Sequence, residues 1–428
     1  MNLQFKIYNL QLLFVLLAFF SVHAHAQSQL TLSKAIEIAL KNNYNIAVAR
    51  NETEIVSTQN NWGNAGSLPT VQAVAGGNLG SSFSQSYDNS PLNSSQFNAG
   101  VEISWTLYDG GRMFVRKDIL EQNQALSELE LRQQVLSLTF SMVATYFDII
   151  RQTQQLQSIN EVISYNAERV SILNTSFNAG MSAKNDLLQA QIDYNKSLEN
   201  AHSQDVAIIS AKRTLQNLMG NSMTTDFDVT DSITFDPTLS IEELRAKISK
   251  VNMDIRSHEK QLEITQLAFQ QARTQFFPSL SISGGYYFNS AHSGVSNTTN
   301  SHGPQVGGKL VIPIYRAGQN KQATTIAKIN ALSAEHQLAQ TRLEVLEDLE
   351  QTCLEYENYK KSYEIEVETY KLALENLAIN TARFRLGHST SLEVHIAQEV
   401  YMQSATRMVD FAYALKMSET KLKQLVAQ

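Results

Sequence analysis

Residues 97–112 read Phe97-Asn-Ala-Gly-Val-Glu-Ile-Ser-Trp-Thr-Leu-Tyr-Asp-Gly-Gly-Arg112. Up to Leu107, apolar and polar residues alternate, the pattern of a strand with one apolar face. At Gly110-Gly111 the alternation stops, and from Arg112 to Ala179 there follow 68 residues with neither Gly nor Pro. One helix of that length would run about 100 Å, against 8–20 residues for ordinary globular helices. Strand, glycine turn and rod in succession set the fold.

The same succession returns further along. Fifteen of the 18 glycines fall in two windows, 63–111 and 284–318, and the second is again followed by 68 Gly- and Pro-free residues, Gln319 to Leu386. Leu280, Ile282, Gly284, Tyr286 and Phe288 alternate with polar or small residues, although Tyr287 breaks the rule. Val306 to Ile314 alternates too, and residues 70–83 do so more weakly. Each stretch is about ten residues, enough to cross an outer membrane when tilted. Ser84 to Gln96 and Asn289 to Gly303, rich in Ser, Asn and Gly, are expected to be the loops between strands. Along the second rod a 3-4 spacing runs Leu346, Leu349, Cys353, Tyr356, Lys360, Tyr363, Val367, Tyr370, Leu374, Leu377, Thr381, Phe384, the seam of a coiled coil.

The chain is an internal duplication. Lys41, Asn43 and Ile46 match Lys250, Asn252 and Ile255 at an offset of 209, and Pro69 matches Pro278. Beyond the loops the offset is 207, pairing Tyr108 with Tyr315, Gly111 with Gly318, Phe177 with Phe384 and Gly180 with Gly387. The expected organisation is a leader, 1–26, then two copies of one unit. The first copy has a helical segment at 27–68, a hairpin at 69–109 and a helical hairpin at 110–220. A linker, 221–238, leads to the second, with a helical segment at 239–277, a hairpin at 278–316 and a helical hairpin at 317–428.

The leader is read from Lys6, the apolar run Leu12–Phe20 and Ala24-His25-Ala26, the small-x-small pattern of a cleavage site. Gln27 would begin the mature chain, and since it is not Cys no lipoprotein anchor is expected. No segment has 18 consecutive apolar residues, so no membrane-spanning helix is expected. Net charge is −7, which argues against nucleic acid as a partner. One cysteine, Cys353, excludes an intramolecular disulfide and a Cys-based metal site. No nucleophile–base pair, metal cluster or cofactor loop is apparent, so neither catalysis nor a cofactor is expected. His388 and His395, seven apart, make a poor metal pair. Glu364, Glu366 and Glu368 spread around a helix and form no catalytic pair.

Four strands cannot close a barrel, and open edges in lipid would leave backbone groups unpaired. The chain must therefore oligomerise if the strands enter a membrane. The competing reading is a soluble exported coiled-coil protein whose strands pack on its own helices.

Trp105-Thr-Leu-Tyr-Asp-Gly-Gly-Arg112, its echo Ile312-Pro-Ile-Tyr-Arg-Ala-Gly318 and the turns Phe177-Asn-Ala-Gly180 and Phe384-Arg-Leu-Gly387 resemble the TolC-like outer-membrane efflux family. The likeness covers essentially the whole mature chain. It implies a homotrimer in outer-membrane lipid, with a twelve-stranded barrel continued by a helical barrel through the periplasm. It also implies a periplasmic adaptor and an inner-membrane pump or ABC exporter as partners. By resemblance Phe177, Gly180, Phe384 and Gly387 form the periplasmic tips where adaptors dock, and Asp186 and Glu393 lie near the constriction. Some members latch this end with Tyr and Arg, where this chain has Phe384 and Ser389, leaving Arg383, Arg385 and His388 as candidates. Asp109, Gly110, Gly111 and Gly318 make the strand-to-helix turns, and Trp105, Tyr108 and Tyr315 are candidates for an aromatic belt.

Overall fold

The computed structural model describes residues 28–83, 91–220, 227–229, 232–236, 240–293 and 297–426. The leader, part of the linker and the centres of both expected loops lie outside the described residues. A short strand β1 (Ser28–Leu30) precedes helices α1 (Leu32–Asn42), α2 (Tyr44–Gln59) and α3 (Trp62–Ala65). Strands β2 (Thr70–Phe83) and β3 (Pro91–Asp109) lead into α4 (Arg112–Asn178) and α5 (Lys184–Leu218). After β4 (Phe227–Val229) the plan repeats as α6 (Ile241–Val251), α7 (Met253–Thr274), β5 (Ser279–Ser293), β6 (Asn297–Val311), α8 (Gln319–Arg385) and α9 (Ser391–Leu425). Both rods are 67 residues and both return helices are 35, so the duplication is one of structure.

Contacts divide the chain into two compact units. One comprises the described residues within 28–44, 136–236 and 351–424, the other those within 45–135, 240–350 and 425–426. In the first unit the core is where helices meet: Val162, Leu377, Ala397, Tyr401 and Ala405 form one cluster. Leu173, Leu187, Ala190, Phe384 and Val394 form another. The second unit holds the β sheet with its supporting helices.

Strands β2, β3, β5 and β6 pair in that order as one antiparallel sheet, joining the hairpins of both repeats. The strands exceed the expected ten residues, because most of the expected loops are strand. Asn289 pairs with Ser301 and Ser94 with Ser293, so the ladder runs on through Ser/Asn-rich sequence. Side-chain polarity does not stop a hairpin whose backbone donors and acceptors are already paired. At its other end β6 stops at Val311, not Ile314. Pro313 has no N–H to donate, and β5 offers no partner before Ser279, the residue after Pro278.

Three further differences concern helices and the linker. Each expected helical segment is broken at the equivalent asparagine, Asn43 or Asn252, whose ψ near +125° to +130° leaves the helical region. The linker contains β4, which pairs in parallel with β1; three-residue strands carry too little sequence for alternation to show. On the α8 seam Leu349, Cys353, Leu377, Thr381 and Phe384 are buried, whereas Leu346 and Leu374 are exposed and Val345 and Ala373 are buried instead. A straight helix drifts about 20° per heptad against a strict seven-residue repeat, so the buried stripe wanders.

Candidate functional site

The sheet has two unlike faces, fixed by register. On one, Val71, Ala73 and Ala75 of β2 lie beside Ile103, Val101 and Ala99 of β3. These are followed by Gly284, Tyr286 and Phe288 of β5, then Val306, Pro304 and His302 of β6. This face is uncovered: Val306 is 89% exposed, Val71 66% and Leu310 61%. An apolar surface across four strands belongs against something other than water. Trp105 opposes Ile282 on this face, and its indole N–H donates to the Ser67 carbonyl at 2.9 Å. Strict alternation would put Tyr108 on the other face. A bulge between Thr106 and Tyr108 returns it to the apolar one, opposite Leu280. Tyr315 lies past the end of β6, exposed.

The opposite face is polar and sparse. Gln72, Glu102, Gly285 and Gln305 form one rung across the sheet, flanked by rungs containing Gly100, Gly303 and Gly307. Tyr287, the residue that broke the alternation, lies here. Its ring covers Gly100 and Gly285, where an added Cβ would sit 2.7–2.8 Å from ring carbons. An aromatic side chain laid over cross-strand glycines fixes register.

The strand-to-helix turns use backbone conformations that L residues avoid. Gly110 and Gly111 have φ of +77° and +87°, and Gly318 +77°. Asp109 accepts from the Met113 N–H at 3.1 Å and pairs with Arg112, capping the start of α4.

At the far ends of the rods the two turns match atom for atom. Gly180 (φ +72°) donates to Phe177 O and Met181 donates to Ser176 O; Gly387 (φ +74°) donates to Phe384 O and His388 to Arg383 O. This is the Schellman arrangement, which consumes the carbonyls a helix end leaves free. Phe384 is buried among Leu173, Leu187, Ala190 and Val394, whereas Phe177 is 37% exposed. Asp186 is exposed in the first turn of α5. Glu393 is engaged: it accepts from the Ser389 hydroxyl and the Thr390 N–H, while its own N–H donates to Thr390 Oγ1 at 3.2 Å. That is a capping box, and the Ser389 and Thr390 bonds, with Arg383 nearby, hold its carboxyl below the usual range. Of the candidate latch groups, Arg383 donates to the His388 carbonyl. Arg385 forks onto Glu168 of α4, Nη2 to Oε2 at 2.7 Å, and holds that carboxyl below its ordinary value.

Composition gave no sign of a buried polar layer near these turns. Arg169 of α4 is 2% exposed; it pairs with Asp193 of α5 and donates to Gln398 Oε1 of α9 at 3.1 Å. His395 Nδ1 lies 3.3 Å from Asp193. Nearby in sequence, Glu366 is buried and held by Arg407 at 3.0 Å and Ser404 at 2.7 Å. Burial pushes its carboxyl up, but these two bonds hold it below the usual range. These are structural crosslinks between helices, so the alternating glutamates are not equivalent. His388 lies in the turn and His395 on α9, and among the described residues no group of three or more His, Cys, Asp or Glu is arranged to hold a metal ion.

The family described as Outer membrane efflux protein matches residues 35–221 and 244–428. The chain belongs to that family. As such it is an outer-membrane efflux channel, with long helical hairpins, a hairpin-built sheet and an internal duplication. This efflux protein is 22% identical over 396 residues to the probable outer membrane lipoprotein SilC of Salmonella typhimurium, covering 91% of this chain and 84% of SilC. It is 23% identical over 403 residues to the cation efflux system protein CusC of Escherichia coli K12, covering 90% and 84%. A crystal structure of CusC superimposes with a TM-score of 0.75 at 19% identity, covering 92% of this efflux protein and 91% of that chain.

Proposed function

We propose that three copies of this chain assemble into a passive exit duct, its sheets closed into one twelve-stranded barrel. The observation that carries this is the sheet itself: four strands, one continuous exposed apolar face, and unpaired edges on β2 and β6. In lipid an open edge leaves a row of N–H and C=O groups unpaired, at several kcal/mol each, so β6 of one copy must meet β2 of the next. Three copies supply twelve strands, within the range of outer-membrane barrels. The helices carry the same signal: Leu343, Leu354, Ile365 and Leu372 are each at least 64% exposed in the single chain.

The Phe177–Gly180 and Phe384–Gly387 turns form the periplasmic end and the docking surface for an adaptor, which connects to an inner-membrane pump or ABC exporter. Asp186 and Glu393 contribute acid near the constriction, and Trp105, Tyr108 and Tyr315 an interfacial aromatic belt. The duct conducts and does not catalyse; energy enters at the inner membrane. Residues 1–26 are removed on export, leaving Gln27 first and without the lipid that SilC's name implies for SilC.

The test is the mass of the mature protein extracted from outer membranes in detergent. A trimer of unlipidated chains starting at Gln27 is expected. A monomer or dimer stable in plain buffer would overturn the barrel.

A further inference from the structure

Among the described residues the polar face of the sheet bears two carboxylates: Asp109, at the end of β3 opposite Ser279 and engaged by Met113 N–H and Arg112, and Glu102, in the rung Gln72–Glu102–Gly285–Gln305. One carboxylate oxygen accepts from the Gln72 amide; the other accepts from the Tyr287 hydroxyl at 3.3 Å. Both donors are neutral, and no ion pair joins Glu102 among the described residues. Lys309, the cation of this face among the described residues, lies two rungs away in register with Ser281 and Thr106. Tyr287 cannot wander, since its ring is seated on Gly100 and Gly285. The glycines at 303 and 307, on β6, keep bulk off the neighbouring part of the face. The seated Tyr287 and the Gln72 amide thus hold a carboxylate in place without cancelling its charge.

We infer that Glu102, held by Gln72 and Tyr287, forms a cation-selecting ring inside the sheet-built part of the channel. The inference rests on the trimeric barrel proposed above, which would place three copies of this rung around one lumen. Each ring then holds three carboxylates and six glutamine side chains. Carboxylate rings favour cations, and a low-dielectric wall focuses their potential into the lumen. The ligand class is a small multivalent cation or polyamine that keeps its water, met by carboxylate charge and amide hydrogen bonds. This ring belongs to β3, whereas Asp186 and Glu393 belong to the return helices α5 and α9.

The experiment is single-channel recording of the purified trimer in a planar bilayer, with hexamminecobalt(III) added from the side bearing the sheet. In Glu102→Gln the half-blocking concentration is expected to rise about tenfold, with the K⁺/Cl⁻ permeability ratio falling toward unity. Gln305→Glu, which adds a carboxylate to the same rung, is expected to lower it. Wild-type block in both Glu102→Gln and Gln305→Glu would overturn the ring while leaving the trimeric duct standing. A Glu102→Gln chain that fails to assemble leaves Gln305→Glu to decide. A wild-type protein that forms no trimer in detergent would overturn both.

Discussion

Ala317 occupies the left-handed region at φ +48°, where its counterpart in the first repeat is Gly110 at φ +77°. Glycine visits this region freely, whereas a residue with Cβ is strained there by about 1–2 kcal/mol. The two positions differ in what surrounds them. A Cβ on Gly110 would meet the Thr274 carbonyl oxygen at 2.6 Å and Phe277 Cβ at 2.9 Å. Glycine is therefore required at 110 by contact as well as by φ, while position 317 tolerates a methyl group at the cost of strain. Ala317→Gly should stabilise by about 0.5–1 kcal/mol, the relieved strain less the entropy glycine adds to the unfolded chain. Gly110→Ala should destabilise, because backbone must move. Thermal unfolding of the two variants checks both signs. The glycines at 110, 111, 180, 318 and 387 were legible in sequence as chain reversals because conformational freedom is intrinsic to the residue. The role of Tyr287 was not, since a ring laid over two glycines on neighbouring strands needs the register to be known.

Between residue and molecule, the duplicated asparagines show why each short helical segment is broken at the equivalent place. Asn43 Nδ2 donates to the Leu218 carbonyl at 2.8 Å, and Asn252 Nδ2 donates to Leu425 O at 3.0 Å. Each ties a break in the chain to the end of its own repeat's return helix. Asn252 also caps α7, its Oδ1 accepting from Asp254 and Ile255. Asn252→Asp keeps the cap but cannot donate, leaving the Leu425 carbonyl unpaired beside a buried carboxylate. A loss of about 1–3 kcal/mol in unfolding free energy from chemical denaturation is expected, whereas an effect under about 0.5 kcal/mol would mean the cap alone matters. The same scale holds the Glu168–Arg385 fork. Glu168 sits below its ordinary value of 4.5 in the folded chain. Its contribution is therefore complete above that value and is lost as pH falls through the lower folded one. Arg385→Gln should lower the thermal midpoint near pH 7 only slightly, because solvent screens so exposed a pair. The gap to wild type should then close as pH drops below 4.5. A gap independent of pH would mean that Arg385 acts through packing.

At the scale of the whole molecule, a single chain is incomplete. It exposes an apolar sheet face, two strand edges and apolar stripes on helices, and the trimer expected from detergent extraction satisfies all three at once. The barrel ring at Glu102 exists only at this scale, because one carboxylate per chain gains its field from two others. The sequence by itself determined the rods, the turns, the duplication and the family likeness. Each rests on local rules: periodicity, the absence of Gly and Pro, and left-handed glycines at fixed offsets. Only the tertiary structure decided how far the strands run, since Ser94 and Asn289 belong to the ladder through backbone pairs that leave no trace in side-chain polarity. It also decided that Glu393 is a cap and Glu366 a buried crosslink, and that Arg169 lies in the core among Asp193 and Gln398. Whether a charged residue is solvated, capping or buried depends on partners tens or hundreds of residues away. Alternation and composition carry no such long-range information.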